Sequence, residues 1–128
     1  MDTEVCLHKD LTAAVIDAAL TVHKNLGPGL LESVYEKCLA FELTERGYRV
    51  DAQKEIPLTY RGLRFESGFR ADLIINGKVL VELKAVEVLL PIHQAQVITY
   101  LKLTRLTTAL LINFNVSLLK QGIKRISL

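Results

Sequence analysis

The sequence predicts an α/β fold in which helices flank a mixed β-sheet, in the approximate order α-α-β-β-β-β-β-α-β-β. Two observations lead to this prediction: apolar residues recur at helical spacing in three segments, and short alternating or fully apolar runs between turn residues follow elsewhere. The chain has 128 residues, half of them hydrophobic, which suits one domain with one core. We therefore expect residues 1–128 to form a single domain.

The three helical segments each have recognisable limits. The segment LTAAVIDAALTVHKNLG ends at the stop signal Gly27-Pro28-Gly29. The segment LLESVYEKCLAFELTERG carries its apolar stripe through Tyr35, Cys38 and Phe41 and is followed by Gly47 as a C-terminal cap. The third segment, IHQAQVITYLKLTRL, returns to helical spacing after a long β region.

Five short strands are predicted between the second and third helices, in the runs YRVDAQ, EIPLTYRG, LRFESG, FRADLIIN and KVLVELKA. Two more strands, TALLINF and GIKRISL, follow the third helix. The sequence thus places most of the sheet in the middle of the chain.

Charge and composition exclude several classes of protein. The net charge is only +2, so the chain is not one that coats nucleic acid by charge alone, yet residues 88–128 hold five basic residues and no Asp or Glu. Either a phosphate-facing surface or an ordinary solvated helix end and strand would explain this. No apolar run approaches the length of a membrane span, and the first ten residues lack the order of a signal peptide. A cytoplasmic protein with no membrane association is expected.

The two cysteines, Cys6 and Cys38, make no disulfide framework and lack the spacing of a zinc site. Cys38 falls within the amphipathic pattern of the second helix, so a small reduced core residue is the preferred interpretation. Neither cysteine is assigned a function.

The stretch FRADLIINGKVLVELKA, residues 69–85, predicts a β-hairpin. Matching the apolar faces of its strands gives these pairs: Ile75 with Val79, Leu73 with Val81, and Ala71 with Leu83. The loop then has three residues, Asn76-Gly77-Lys78. In this register Asp72 lies opposite Glu82, and Arg70 lies opposite Lys84.

Directly opposed like charges destabilise a sheet, so something should offset them. One explanation is a lattice of diagonal salt bridges, Asp72 to Lys84 and Arg70 to Glu82, on a solvated face. The other is a divalent cation between Asp72 and Glu82, since Mg²⁺ prefers one or two carboxylates with water and substrate phosphate oxygens. Geometry alone leaves both open.

Asp72 followed by Glu82-Leu83-Lys84 on the next strand resembles the catalytic core of the PD-(D/E)XK nuclease superfamily, with Ala71 where a proline often stands. The stretch GLLESVY, residues 29–35, resembles the motif of the GxxExxY proteins, and its neighbours VHKNLGPG and PIHQAQVITYLKLT look like that family too. Gln96 and Tyr100 match the Q-x-x-x-Y element of RecB-like members. The resemblance extends from about residue 10 to the C-terminus.

The resemblance implies a restriction-endonuclease-like fold and a metal-dependent active site. Asp72 and Glu82 would ligate Mg²⁺, or Mn²⁺ as a substitute, with the backbone carbonyl of Leu83. Glu32 would add a carboxylate directly or through water, although a first-turn residue favoured by the helix dipole is the alternative. Lys84 would position or deprotonate the attacking water and stabilise charge on the phosphoryl oxygens.

The remaining implied roles concern the substrate. Gln96 and Tyr100 would orient Lys84 or a phosphate, the alternative being an ordinary amphipathic helix flank. Arg70, Lys102 and Arg105 are candidate nucleic-acid contacts. The implied reaction is phosphodiester hydrolysis with DNA as the expected substrate, by the chain alone, by a homodimer or with a partner protein. The competing hypothesis is a catalytically silent nuclease-like module that binds nucleic acid or assists other proteins.

Overall fold

The computed structural model describes residues 8–128, so Cys6 lies outside the described residues. The elements, in chain order, are α1 (Lys9–Leu26), α2 (Glu32–Glu45), β1 (Val50–Tyr60), β2 (Leu63–Ile75), β3 (Val79–Lys84), α3 (Pro91–Thr104), β4 (Thr108–Asn113), a 3₁₀ turn (Leu119–Gly122) and β5 (Ile123–Ser127). The predicted α/β fold with a mixed sheet flanked by helices is confirmed. None of the helices described is long and apolar enough to cross a membrane.

The strands lie in the sheet in chain order, β1-β2-β3-β4-β5, and only the β3–β4 pair is parallel among them. This pair is parallel because α3 connects the two strands as a crossover helix. Helices α1 and α2 pack on one face of the sheet, and α3 packs on the other. Because both faces are covered, β3 and β4 are almost entirely buried, which explains their continuous apolar runs.

Between α2 and α3 the sheet has two long strands, β1 and β2, and the six-residue β3, where the sequence predicted five short strands. The predicted breaks near Gln53 and Gly68 fall inside β1 and β2, which pair along nearly their whole length. The residues at these predicted breaks do not end the strands. They form local irregularities within them, including a shift of the pairing register between Ile56 and Leu58. Pro57 is tolerated because β1 is an edge strand.

The predicted apolar stripe of α2 is partly wrong. Phe41 is 64% exposed, whereas Tyr35, Leu39 and Leu43 are fully buried. These three residues are four apart and therefore form one stripe, while Phe41 lies two residues from Leu39 and points to the opposite side. Cys38 is half-buried against the core and free, as expected for a reduced structural cysteine.

The β2–β3 hairpin begins as predicted. Ile75 pairs with Val79, and the three-residue loop is closed by a hydrogen bond from the Lys78 N–H to the Ile75 carbonyl. The loop residues Asn76 and Gly77 have φ values of 53° and 65°, in the left-handed region that Asn and Gly tolerate best. Leu73 pairs with Val81 as the last step of the ladder.

Beyond that step the predicted register is wrong. Ala71 is not paired with Leu83, and Arg70 is not paired with Lys84. Ala71 is buried on the α3 side of the sheet, whereas Leu73 faces α1 and α2. The alternation of side chains between the two faces is interrupted at Asp72, which lies between Ala71 and Leu73. The alternation pattern therefore could not predict the pairing of residues before Leu73.

Gly122, at the end of the 3₁₀ turn, has no room for a side chain. A Cβ there would clash with the carbonyl oxygen of Asn113 and would lie 3.1 Å from Cγ2 of Val116. We expect Gly122→Ala to lower the free energy of unfolding by about 2–3 kcal/mol, because a backbone atom must move. Urea unfolding measures this, and Ser117→Ala, at an exposed site in the same loop, should change it by less than about 0.5 kcal/mol. Equal effects of the two variants would contradict the prediction.

Candidate metal centre between two strands

Asp72 and Glu82 come together at the point where β2 and β3 cease to pair. The backbone N–H of Asp72 donates to Oε2 of Glu82 at 2.8 Å, and the backbone N–H of Leu83 donates to Oδ2 of Asp72 at 2.9 Å. Each carboxylate thus accepts a backbone hydrogen from the facing strand, where ladder bonds are absent. Two acidic side chains are thereby held close together and oriented by the backbone of two strands.

Burial dominates the electrostatics of this pair. Glu82 is only 5% exposed, and its burial, followed by the charge of Asp72, raises the pKa of Glu82 to about 8. Burial also raises the pKa of Asp72, against the hydrogen bond from Leu83 and the charge of Lys84. Two carboxylates that resist ionisation side by side form an environment that a cation would relieve.

Lys84 lies at the end of β3, two residues beyond Glu82 and half-buried. Its charge lowers the pKa of both Asp72 and Glu82, which places it within electrostatic reach of them. No direct ion pair joins Lys84 to Asp72 or Arg70 to Glu82 within residues 8–128. The salt-bridge lattice considered above is therefore not formed.

Glu32, the first residue of α2, faces the same centre. Partial burial raises its pKa, and the nearby charge of Asp72 raises it further, whereas Lys84 lowers it. Glu36, one turn later on α2, behaves similarly: burial raises its pKa and Asp72 adds to the effect. Helix α2 therefore presents two carboxylates towards Asp72.

Tyr35 fixes the start of α2. Its buried hydroxyl donates to the Gly27 carbonyl at 2.6 Å and accepts from the Leu30 N–H at 3.0 Å, and its ring stacks on Phe114 with centroids 4.6 Å apart. The tyrosine thus ties down the turn from which Glu32 emerges. This gives a physical reason for a tyrosine three residues after Glu32.

We expect Tyr35→Phe to destabilise the protein by about 1–3 kcal/mol, because the Gly27 carbonyl and the Leu30 N–H lose a buried partner. The free energy of unfolding in urea measures the change. Tyr48→Phe is a matched control, since Tyr48 is half-buried and its hydroxyl makes no hydrogen bond among the described residues. A loss as large in Tyr48→Phe would show that the effect is not due to the turn.

On the other face, α3 brings Tyr100 to the centre. Its ring stacks on Phe69 of β2 with centroids 3.8 Å apart. Burial raises the pKa of Tyr100, and the charges of Glu82 and Asp72 raise it further, so its hydroxyl is within electrostatic reach of both carboxylates. Gln96, one turn earlier, is exposed and makes no hydrogen bond within residues 8–128.

Comparison with known proteins agrees with this arrangement. A model of the PD-(D/E)XK nuclease superfamily matches residues 9–126, nearly the whole chain. The chain belongs to this superfamily. No curated protein and no solved structure gives a significant match.

Members of the PD-(D/E)XK superfamily generally depend on a divalent metal, and the residues present suit such an ion. Within residues 8–128 no three His, Cys, Asp or Glu side chains converge to hold a metal as they stand. The donors are instead two oriented carboxylates, those of Asp72 and Glu82. The carbonyl of Leu83 and water molecules would complete the expected set of metal ligands. Oxygen donors with few carboxylates suit Mg²⁺ or Mn²⁺ rather than Zn²⁺.

Two residues beside this PD-(D/E)XK centre were not found by sequence reasoning. Gln53 of β1 donates from Nε2 to Oε1 of Glu36 at 2.5 Å and, at 3.4 Å, to Oδ1 of Asp72. The four-residue spacing of Glu32 and Glu36 on one helix face was a signal that could have found Glu36. Gln53 gave no such signal, because its position depends on an irregular backbone.

The basic residues proposed to contact nucleic acid form no ion pair with these carboxylates within residues 8–128. Arg70, Lys102 and Arg105 are all exposed, on β2, on α3 and at the end of α3 respectively. Arg125, another base of the C-terminal segment, donates to Oγ1 of Thr12 at 2.7 Å. The role of the three exposed residues stays a prediction.

Proposed function

We propose that this protein is a metal-dependent nuclease of the GxxExxY group that hydrolyses phosphodiester bonds, with DNA as its substrate. The observation that carries the proposal is the pair of the buried Glu82 and the half-buried Asp72, oriented by backbone hydrogen bonds, with Lys84 two residues beyond Glu82 on β3. The two backbone hydrogen bonds do not fully offset the desolvation cost of this carboxylate pair, since burial still raises the pKa of both groups. Membership of the PD-(D/E)XK superfamily supports a nuclease-like function.

Each residue has a physical role in this proposal. Asp72 and Glu82, with the carbonyl of Leu83, would hold Mg²⁺, and the bound ion would supply charge neutralisation at the phosphoryl oxygens and a more acidic water. Lys84 positions or deprotonates the attacking water and stabilises the negative charge that develops on the phosphate. Glu32 acts through water, since it does not converge with the other two carboxylates as they stand.

Helix α3 supplies the groups that orient the substrate. Tyr100 and Gln96 orient Lys84 or a substrate phosphate; the stack of Tyr100 on Phe69 and the exposure of Gln96 support these roles. Arg70, Lys102 and Arg105 contact the nucleic-acid backbone, which requires no base-specific geometry. The enzyme so proposed is a single domain of residues 1–128 that acts in the cytoplasm, alone, as a homodimer or with a partner.

One observation favours a second candidate, a silent nuclease-like module that binds nucleic acid or assists another protein. No three potential ligand side chains converge within residues 8–128, so the affinity for a metal could depend on a substrate phosphate or on a partner. The two candidates differ in which substitutions matter. A nuclease loses cleavage on replacement of Asp72, Glu82 or Lys84, whereas a binding module loses affinity on replacement of the exposed bases.

Calorimetric titration of Mn²⁺ tests the proposal without a choice of substrate. We expect binding to the wild-type protein, no detectable binding to Asp72→Asn, and wild-type binding to the control Asp51→Asn on neighbouring β1. DNA cleavage with Mg²⁺ should be lost in the same variant only. If millimolar Mn²⁺ binds neither the wild type nor Asp72→Asn, with or without DNA, the nuclease proposal fails and the silent module becomes the better explanation.

A further inference from the structure

Gln53 has an unusual backbone for a strand residue. Its φ is 51°, in the left-handed region that few residues other than glycine adopt, yet its neighbours Ala52 and Lys54 pair regularly with Leu73 and Ala71. The irregularity is therefore confined to the position that lies opposite Asp72. A conformation that costs free energy persists only where other interactions offset it, and such positions cluster at functional sites.

The side chain of Gln53 supplies that interaction. One amide nitrogen donates to two carboxylates from different elements, Glu36 of α2 and Asp72 of β2. The other oxygen of Asp72 accepts from the Leu83 N–H. Asp72 is thus contacted at both of its oxygens, so the plane of its carboxylate is defined.

The chemistry of an amide suits this place. The charge of Asp72 raises the pKa of Glu36, and a neutral group with two N–H donors can bridge the two carboxylates without cancelling either charge. A lysine would neutralise a negative charge that a metal needs, and a shorter side chain would not span the gap. The left-handed backbone changes the direction in which the side chain leaves the strand.

We propose that Gln53 is a positioning residue that orients the Asp72 carboxylate for metal binding, and that its left-handed backbone serves to aim the amide at that carboxylate. The inference rests on the proposed function, since it takes Asp72 as a metal ligand. It assigns to β1 a part of the centre that neither the sequence motifs nor the superfamily match identifies. Groups that orient metal ligands typically affect affinity by about 10–100-fold.

Two substitutions separate positioning from a structural role. Gln53→Asn introduces a residue that tolerates the left-handed backbone, but its side chain is too short to bridge Glu36 and Asp72. Gln53→Gly removes the side chain and also removes the conformational cost of the positive φ. We expect both variants to bind Mn²⁺ about tenfold or more weakly than the wild type in calorimetry. Their unfolding midpoints should not fall, and that of Gln53→Gly should be equal or higher.

The control is Gln121→Asn, the same chemical change at an exposed site on the 3₁₀ turn, which should leave Mn²⁺ affinity unchanged. Wild-type binding by Gln53→Asn and Gln53→Gly would overturn this inference while the proposed function stands. Weaker binding that merely follows a lower unfolding midpoint would overturn it too, since it would indicate a structural role. Absence of Mn²⁺ binding in the wild type would overturn both proposals together.

Discussion

Replacement of Lys84 with alanine is expected to reduce phosphodiester cleavage by at least about a hundredfold, the usual cost of losing a general acid–base or charge-stabilising group. Binding of Mn²⁺ should change far less, because Lys84 is a neighbour of Asp72 and Glu82 rather than a ligand. Removal of its positive charge even favours a cation at the site. The two effects are measured by DNA cleavage with Mg²⁺ and by calorimetry with Mn²⁺.

Lys78→Ala provides the control for this experiment. Lys78 is an exposed lysine of the same hairpin, in the loop at the far end of β3 from Lys84, and its loss should leave cleavage within about twofold, as for a surface site remote from the centre. If Lys84→Ala cleaved DNA at the wild-type rate, the assignment of Lys84 would be wrong. If it lost Mn²⁺ binding as well as cleavage, its role would be to hold the centre together.

The second large effect concerns pH. The pKa of Glu82 is raised to about 8 by burial and by Asp72, so at neutral pH a metal must displace a proton from this side chain. We expect the apparent Mn²⁺ affinity to fall about tenfold for each pH unit below 8, since one proton competes with the metal. Calorimetry in buffers of different ionisation enthalpy should show that about one proton is released per bound Mn²⁺ at pH 7.

The metal-free protein should respond to pH in the opposite sense. The pKa of Glu82 is higher in the folded chain, about 8, than its ordinary value of 4.5, so the folded state binds the proton more tightly. Its stabilising contribution is complete below pH 4.5 and is lost as the pH rises to about 8. Glu82→Gln should not show this loss, so its stability advantage over the wild type should grow over the same interval.

Urea unfolding with a chelator, at several pH values, checks this sign. A constant difference between the wild type and Glu82→Gln across the interval would mean that Glu82 titrates normally. Addition of Mn²⁺ should reverse the trend for the wild type alone, because binding to the folded state stabilises it increasingly as the proton leaves.

Sequence reasoning succeeded where one local rule decides the outcome. Apolar periodicity placed the helices α1 and α3, and the apolar faces of the hairpin gave the pairs Ile75–Val79 and Leu73–Val81 correctly. It failed for Phe41, which was assigned to the buried stripe of α2 although Tyr35, Leu39 and Leu43 form that stripe. It also failed for the strand breaks predicted near Gln53 and Gly68, because pairing between β1 and β2 continues on both sides of each position.

The candidate site divides in the same way. The sequence by itself determined the identities of Asp72, Glu82 and Lys84 and their places on two adjacent strands, because side-chain chemistry and strand alternation are local properties. Only the tertiary structure decided that these strands separate at Asp72 and that each carboxylate accepts a hydrogen bond from the facing backbone. The alternation rule assumes regular pairing along the hairpin, so it does not encode the point at which that pairing stops.

The raised pKa of Glu82 and the bridge made by Gln53 are likewise tertiary properties. Burial of Glu82 results from packing on both faces of the sheet, and Gln53 reaches Asp72 because its backbone leaves the strand conformation at one residue. The amino-acid sequence thus specified which groups carry the chemistry. Their desolvation and orientation, which set how strongly they attract a proton or a metal, were decided when helices α2 and α3 closed over the sheet.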